Sequence, residues 1–349
     1  MANQITRYYK ESDYMIFFDQ ATGMFVRYGR NNVDPFHNAS GPELLDIAIS
    51  NYCERECEFC YRRSNRQGKF MPLEDYGLAM AQAKNVGVLQ VALGGGNPNQ
   101  HPQFIEILKM TRDHGIVPSY TTNGQGMTEA VYEATKKYCG AMAVSWYAPY
   151  LEAQELIDRA KRYQIKTNIH FLLGQNTVAE AIDLIQNRHD ILEKINALVF
   201  LNYKPIHSPE SLCLRDSEDV KRLFGLLGQL KTCKIGFDSC MISYLPLMGP
   251  ELALETVEFC EAGRFSAYIS EDLMLYPCSF INDISKNGVD LRTRTLGDGW
   301  RNGEEFIMAR EKLRTPGTQN QPISACKTCE SYAFCRGGCQ FFNVNRCRD

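Results

Sequence analysis

The sequence predicts an α/β protein: a partial (β/α)6 TIM-like barrel followed by a loop-rich C-terminal region. Short apolar runs alternate with helix-length amphipathic segments through the middle of the chain. Six such alternations are too few for a closed eight-stranded barrel. After Cys233 the alternation stops, and the remaining residues carry most of the cysteines. We therefore expect an N-terminal appendage over 1–42, the barrel over 43–235 and a cysteine-rich domain over 236–349.

The appendage is expected to contain a β-hairpin. Aromatic and polar residues alternate over 14–18 and 24–26, and Gly23 lies between these two stretches. Glycine adopts the backbone conformations that tight turns require. A hairpin of this kind would lie at an edge of the main domain.

The barrel prediction depends on the order of apolar and amphipathic segments. Strand-helix alternation produces right-handed crossovers and a parallel sheet with both faces covered. The predicted strands are 44–49, 88–93, 116–120, 141–146, 167–173 and 197–202. The predicted helices are 73–85, 102–114, 129–138, 151–163 and 178–194.

Composition narrows the classes of partner. The 349 residues, 44% of them hydrophobic, can bury a full-sized core. A net charge of −3 gives no basic excess that would attract nucleic acid. No apolar run approaches the length of about 18 residues typical of a membrane helix, and the N-terminus lacks a secretory pattern. We expect a cytoplasmic protein that binds neither nucleic acid nor membrane.

The fourteen cysteines indicate metal binding. Without an export signal, a chain of this length is not expected to depend on disulfides. Ten of the cysteines fall into groups with ligand-like spacing, whereas Cys139, Cys213, Cys233 and Cys240 stand apart.

The first group is Cys53-Glu-Arg-Glu-Cys57-Glu-Phe-Cys60, directly after the first predicted strand. A [4Fe-4S] cluster normally takes four protein ligands, so three thiolates leave one iron open. Catalytic metal sites keep an open position in the same way. The loops after barrel strands form the reactive face, so the location suits catalysis.

The Cys-x3-Cys-x2-Cys spacing, with aromatic Phe59 before the last cysteine, resembles the signature of the radical S-adenosylmethionine (SAM) superfamily. The resemblance implies that the open iron is chelated by the methionine amino and carboxylate groups of SAM. One-electron reduction then yields a 5'-deoxyadenosyl radical, which abstracts hydrogen from the substrate. A flavodoxin or ferredoxin would supply the electron.

Later motifs resemble the SAM-binding segments of the same family. Gly94-Gly95-Gly96-Asn97-Pro98 resembles the Gly-Gly-Glu-Pro segment, with Asn97 in place of glutamate, and Thr121-Thr122-Asn123-Gly124 resembles the Thr-Asn-Gly turn. The candidate SAM-binding residues are Phe59, Gly95, Gly96, Asn97, Pro98, Thr122, Asn123, Ser145, Asn168 and His170. Taken singly, the glycines could form only a strand-ending turn, and the later polar residues could be ordinary core groups.

The C-terminal cysteines form the second group: Cys326, Cys329, Cys335, Cys339 and Cys347, with Cys260 and Cys278 upstream. Their order resembles the seven-cysteine SPASM domain, except that Leu273 stands where a glycine is usual. The resemblance implies one auxiliary [4Fe-4S] cluster on Cys326, Cys329, Cys335 and Cys347. Cys260, Cys278 and Cys339 would hold another, whose fourth ligand is unassigned, giving three clusters in all. From spacing alone, zinc is the alternative metal.

The resemblance favours a maturase that oxidatively modifies a peptide, for example by crosslinking. One alternative is a dehydrogenase or oxidase of a small molecule or of a Ser/Cys side chain, as in sulfatase maturation. Another is a peptide epimerase, with Cys240 as hydrogen donor and Asp238 as base. A non-catalytic iron-sulfur or zinc scaffold is the third. Because about 42 residues precede the barrel, we expect a separate leader-binding protein or the barrel mouth to recognise a peptide.

Overall fold

The computed structural model describes residues 4–253, 256–285, 287–314, 326 and 328–347. The chain divides into two compact units. One comprises residues 1–142 and 262–310, and the other comprises 143–261 and 311–349. No helix in the described part of the chain is both long enough and apolar enough to cross a membrane.

The first unit begins with a three-stranded antiparallel sheet. Its strands are β1 (Gln4–Tyr9), β2 (Tyr14–Asp19) and β3 (Phe25–Gly29), with β2 in the centre. The predicted hairpin is confirmed as β2 and β3, and β1 is an additional strand. The buried face of this sheet packs in one cluster with Leu89, Val117 and Phe265.

The same unit contains the first three strands of the predicted barrel. These are β4 (Leu44–Ser50), β5 (Gln90–Gly95) and β6 (Val117–Thr122), which pair in parallel. Helices α1 (Leu73–Val86), α2 (Phe104–Asp113) and α3 (Glu129–Tyr138) follow them in turn. Burial alternates along most of β5, whereas the last four residues of β4 are all buried, as in a parallel strand that is covered on both faces.

The other edge of β4 pairs with a strand from much later in the chain. Strand β11 (Ser266–Ile269) lies parallel to β4, with Ser266 opposite Leu44. Strands β12 (Met274–Tyr276) and β13 (Val289–Asp290) extend this edge in antiparallel fashion. Helices α8 (Leu296–Asn302) and α9 (Glu304–Arg314) follow.

The turn between β11 and β12 contains Leu273, the residue that replaces the usual glycine. Its φ is +62°, so the backbone keeps the left-handed conformation that glycine favours. That conformation costs an L-residue about 1–2 kcal/mol. The Leu273 side chain is fully buried, which recovers about 1.5–3 kcal/mol. The departure therefore leaves the turn in place.

The alternation continues into the second unit. Its strands, in sheet order, are β7 (Ala141–Trp146), β8 (Thr167–Leu173), β9 (Ala197–Asn202) and β10 (Lys234–Phe237). Its helices are α4 (Tyr150–Arg162), α5 (Val178–Asn187), α6 (His189–Leu192), α7 (Glu218–Gln229) and the short α10 (Tyr332–Cys335). The six predicted strands are all present.

Strand β10 corrects the expectation that the alternation ends at Cys233. It pairs in parallel with β9, with Lys234 opposite Ala197, and therefore continues the barrel pattern by one strand. A row of aromatic contacts explains its position: Phe237 stacks against Phe200 of β9 and Phe224 of α7. A 3-10 segment, Ser239–Glu251, follows β10 directly.

Candidate active site

The loop after β4 carries Cys53, Cys57 and Cys60, and its backbone is ordered by local hydrogen bonds. The Cys53 N–H donates to the Asn65 carbonyl at 3.1 Å, and the Cys60 N–H donates to the Cys57 carbonyl at 3.0 Å. All three thiols are partly exposed. The loop therefore presents three sulfurs to solvent from the carboxyl end of a parallel strand.

The glycine turn after β5 packs closely against this loop. The Gly96 N–H donates to the Ser50 carbonyl at 2.7 Å, and the Asn97 N–H donates to the Tyr52 carbonyl at 3.0 Å. A Cβ on Gly96 would lie 1.9 Å from the Tyr52 oxygen, and one on Gly95 would lie 2.0 Å from the Ser50 oxygen. Both positions therefore require glycine because the cysteine loop passes over them.

Gly94 has a different environment. A Cβ built there meets no atom within 4 Å, so the backbone borders open space. The candidate SAM-binding set did not include Gly94, although it belongs to the same motif. A run of three glycines does not reveal which one faces a ligand and which ones face the protein.

Asn97 connects the β5 turn to the turn after β6. Its side-chain oxygen accepts from the Asn123 N–H at 3.2 Å and the Thr122 hydroxyl at 3.3 Å, and its amide donates to the Gln125 carbonyl at 2.8 Å. The side chain is buried. A carboxylate could not make this donation. Asn97 thus holds the Thr122-Asn123 turn, while its contact with SAM stays a prediction.

Asn123 extends from that turn to the first cysteine. Its Nδ2 donates to the Cys53 sulfur at 3.5 Å, and its Oδ1 accepts from the Gln125 N–H at 3.0 Å. Hydrogen bonds to ligand sulfurs tune iron-sulfur sites. The loops after β4, β5 and β6 therefore converge around Cys53. Phe59 is half-exposed on the cysteine loop, and Pro98 is buried at the start of a 3-10 turn.

Arg62 anchors the cysteine loop and was not predicted from the sequence. Its guanidinium is buried, with Nη2 at 2.6 and 2.8 Å from the two Glu271 oxygens and Nη1 at 2.9 Å from Asp283 Oδ1. The neighbouring Tyr61 ring contacts Phe280, with centroids 4.6 Å apart. Because Glu271 is 209 residues away in sequence, no local pattern indicates this pairing.

The remaining SAM-binding candidates lie in the second unit. Ser145 is partly exposed near the carboxyl end of β7, where a ligand contact is expected. Asn168 lies near the amino end of β8, and its Oδ1 accepts from Asn196 Nδ2 at 2.9 Å. Burial lowers the pKa of His170, in the middle of β8, to about 4. The His170 imidazole is therefore neutral near pH 7.

Four C-terminal cysteines lie within electrostatic reach of one another in the second unit. Burial, together with the neighbouring Cys347, Cys326 and Cys329, raises the pKa of the Cys335 thiol to about 12. These are the four residues that the resemblance to SPASM domains assigns to one auxiliary cluster. Cys278, assigned to the other cluster, belongs to the first unit.

A second set of cysteines lies in a packed cluster that we call the thiol cluster, made of Tyr203, Cys213, Cys240, Cys339 and Val344. The Cys240 thiol donates to the Cys339 sulfur, which raises the pKa of Cys240 and lowers that of Cys339. All five side chains are buried.

Lys204 is a buried cation beside this thiol cluster. Its Nζ donates to Asp238 Oδ2 and to the Asn202 carbonyl, both at 2.9 Å. Burial opposes the charge, but the attraction of Asp238, Cys240 and Cys339 raises the pKa of Lys204. Asp238, the candidate base, thus accepts from Lys204 and also from the Asn202 N–H at 3.1 Å.

The donor chemistry of the first cysteine group fits an iron-sulfur cluster. Three thiols share one partly exposed loop, and the Asn123 amide hydrogen-bonds one of the sulfurs. Among the described residues, no three His, Cys, Asp or Glu side chains already form a group able to hold a metal ion.

Comparison with known proteins agrees with this geometry. Residues 47–203 match the Radical SAM superfamily. The mycofactocin maturase MftC of Mycobacterium ulcerans is 23% identical over 322 residues, covering 87% of this chain and 84% of that protein. The PqqA peptide cyclase of Ruegeria pomeroyi is 23% identical over 337 residues, covering 88% and 84%.

The fold prediction is confirmed by a solved structure. Streptococcus suis SuiB bound to S-adenosylmethionine superposes with a TM-score of 0.73 at 18% identity, covering 97% of this chain and 95% of that one. The matched family segment includes all three cysteines of the β4 loop and both turns that converge on it. Over residues 47–203 the chain is thus similar to the Radical SAM superfamily, and over most of its length it is similar to a maturase and a peptide cyclase.

Proposed function

We propose that the enzyme cleaves SAM reductively and uses the 5'-deoxyadenosyl radical to abstract hydrogen from a peptide, leaving an oxidative modification such as a crosslink. The observation that carries the proposal is the convergence of the β4, β5 and β6 loops around Cys53. Such a site combines three thiol ligands with backbone that borders open space at Gly94.

Each residue of this site has a distinct task. Cys53, Cys57 and Cys60 would hold the [4Fe-4S] cluster, which when bound supplies the electron that cleaves SAM. Asn123 donates to the Cys53 sulfur and orients the cysteine loop against the turn after β6. Gly95 and Gly96 allow the cysteine loop to lie against the β5 turn. Asn97 keeps the Thr122-Asn123 turn at the distance that this contact needs.

The peptide substrate is supported by the relatives that align over most of their length. One is named a mycofactocin maturase and another a PqqA peptide cyclase. SuiB has also been solved with its precursor peptide SuiA. The C-terminal cysteines support two auxiliary clusters, which makes three in all.

Auxiliary clusters suit an oxidation. A product that lacks two hydrogens requires an electron and a proton to leave after the first hydrogen atom, and auxiliary clusters held by the C-terminal cysteines would accept that electron. A flavodoxin or ferredoxin would reduce the first cluster, and a separate leader-binding protein would present the peptide. We also propose domain boundaries near residues 42 and 235, and a cytoplasmic location.

The first test measures SAM cleavage. Reconstituted enzyme, incubated without oxygen with SAM and dithionite, should release 5'-deoxyadenosine. Cys53→Ala should reduce this yield at least a hundredfold, whereas Cys139→Ala, outside both cysteine groups, should leave it unchanged. Retention of the yield by Cys53→Ala would contradict the assignment of the site.

The second test identifies the substrate class. Short peptides encoded beside the gene are coexpressed with the enzyme and analysed by mass spectrometry. Loss of two hydrogens supports oxidation or crosslinking. A mass that is unchanged in ordinary water but rises through deuterium incorporation in heavy water indicates epimerisation instead. Oxidation of a small alcohol, with every peptide unmodified, would contradict the peptide assignment.

A further inference from the structure

We infer that the outer face of the N-terminal three-stranded sheet is an interface at which two copies of this chain associate. The face is made by β1, β2 and β3 and includes no residue of the cysteine loop, so the inference goes beyond the proposed function. The strand register places its side chains in two cross-strand rows, which we call the outer rows: Tyr8-Met15-Tyr28 and Thr6-Phe17-Val26.

The first argument is that this sheet is apolar on both faces. Its inner face is buried in the cluster that includes Leu89, Val117 and Phe265. An antiparallel sheet with one face in water normally carries polar residues on that face. The outer rows instead hold two tyrosines, a methionine, a phenylalanine, a valine and a single threonine. This composition indicates that a partner covers the outer face.

The second argument is the exposed area. Within the part of the chain that the structure describes, the exposed fractions are 53% for Tyr8, 42% for Met15, 46% for Val26 and 58% for Tyr28. Met24, just before β3, is 54% exposed. At about 200 Å² for a side chain of this size, the patch exposes about 500 Å². Two copies face to face would bury about 1,000 Å², which is the lower limit expected of a specific interface.

The third argument is that the face is complementary to itself. Its two outer strands lie about 10 Å apart, which is twice the strand spacing. A single extended peptide is narrower than this face, whereas an identical three-stranded sheet matches its width, as in the aligned packing of two sheets. None of the six side chains in the outer rows carries a charge, so a copy related by a two-fold axis meets no like charge there.

The arrangement within the patch also suits an interface. Met15 and Phe17 lie on the central strand β2, and the tyrosines lie at the two outer strands. Apolar anchors at the centre with amphipathic residues around them are typical of protein interfaces. The Tyr8 hydroxyl donates to Asp13, which holds the ring in place before a partner arrives.

The test measures the oligomeric state of the full chain by sedimentation velocity. The protein is reconstituted with iron and sulfide and kept with a thiol reductant, so that disulfides cannot link the chains. Met15→Lys and Tyr28→Lys each place a charge in the outer rows. Leu151→Lys is the matched control, because Leu151 is also a highly exposed apolar residue but lies on α4.

We expect a monomer–dimer equilibrium with a dissociation constant of about 1–100 μM, as suits an interface of this size. Met15→Lys and Tyr28→Lys should each raise this constant at least about tenfold, since every substitution occurs twice in a symmetric dimer. Leu151→Lys should leave it unchanged. Val26→Thr keeps the β-branched shape that suits a strand, so it separates weakened association from a folding defect, and it should raise the constant about two- to fivefold.

A chain that stays monomeric at about 100 μM would overturn the inference. A dimer that Met15→Lys and Val26→Thr leave unchanged would overturn it as well. A monomer whose binding of a coexpressed peptide is abolished by Tyr28→Lys would show that the face docks the peptide instead. SAM cleavage by Met15→Lys should equal that of the unmodified chain, so failure of this inference leaves the proposed function intact.

Discussion

At the residue scale, the side chain of Asn97 holds two loops of the candidate site together. Its amide accepts from one turn and donates to the same turn two residues later, so both of its polar atoms are satisfied within the protein. Aspartate at position 97 would lack the amide donor, and it would be smaller than the glutamate of the Gly-Gly-Glu-Pro segment that this motif resembles. The residue type therefore suits a bracing role between two loops.

Sequence patterns could identify the cysteines of the site but not their hydrogen-bonding partners. The spacing of Cys53, Cys57 and Cys60 predicts a cluster because covalent chain length alone limits how far apart they lie. The contact between Asn123 and Cys53 depends on the register of two strands, which spacing does not encode. Lys204 was missed for the same reason, since its partner Asp238 belongs to a different loop.

At the residue scale, His170 predicts a dependence of stability on pH. Its pKa is about 4 in the folded protein and about 6.5 in the unfolded chain. Below pH 6.5 the unfolded chain therefore binds a proton that the folded protein does not, and stability falls as the pH falls towards 4. From pH 7.5 to 5.5 this group removes about 1 kcal/mol from the free energy of unfolding.

Urea denaturation at the two pH values checks this prediction. His170→Gln should lose about 1 kcal/mol less than the unmodified chain over the same interval. Equal losses in the His170→Gln variant and the unmodified chain would contradict the prediction.

At the scale of elements, the long strands were predictable and the short ones were not. The six predicted strands each contain several consecutive apolar residues. Strand β10 is only four residues long and includes Lys234 and Gly236, so its apolar pattern is weak. It forms because β9 offers an edge and Phe237 gains aromatic contacts. Pairing of this kind is a tertiary effect that local sequence does not contain.

The prediction at the scale of elements concerns the glycine turn after β5. Gly96→Ala places a methyl group 1.9 Å from a backbone oxygen of the cysteine loop. Neither backbone segment can shift at low energetic cost. We expect the free energy of unfolding to fall by about 2–3 kcal/mol. Iron bound by the Cys53 group should also decrease.

Gly94→Ala is the matched control for Gly96→Ala, because its methyl group enters open space and its φ is not in the left-handed region. It should change the free energy of unfolding by less than about 1 kcal/mol. Denaturation curves and iron analysis of the two variants check the difference. Equal effects of the two substitutions would show that the close approach at Gly96 has been misjudged.

At the scale of the whole chain, Arg62 links its early and late parts within the first unit. The Arg62 guanidinium and the Glu271 carboxylate are both buried and compensate each other's charge, while the partly exposed Asp283 is a second partner. Removing one partner of such a buried pair strands the other charge.

We therefore expect Arg62→Ala to lower the free energy of unfolding by about 3–5 kcal/mol. Lys69→Ala removes a neighbouring but exposed pair with Asp272 and should cost less than about 1 kcal/mol. The double variant Arg62→Met with Glu271→Leu should recover much of the loss, since no buried charge is then left unpaired. Similar small losses for Arg62→Ala and Lys69→Ala would contradict this account.

The parallel pairing of β11 with β4 has a consequence for how the protein is made. About 220 residues separate the two strands. At a synthesis rate of about 5–20 residues per second, β11 is therefore made some 10–45 s after β4. Glu271, the partner of Arg62, leaves the ribosome after β11. The cysteine loop thus acquires its anchor only when most of the chain exists. Iron should therefore enter this loop after synthesis, and a nascent chain stalled before residue 262 should emerge without the first cluster.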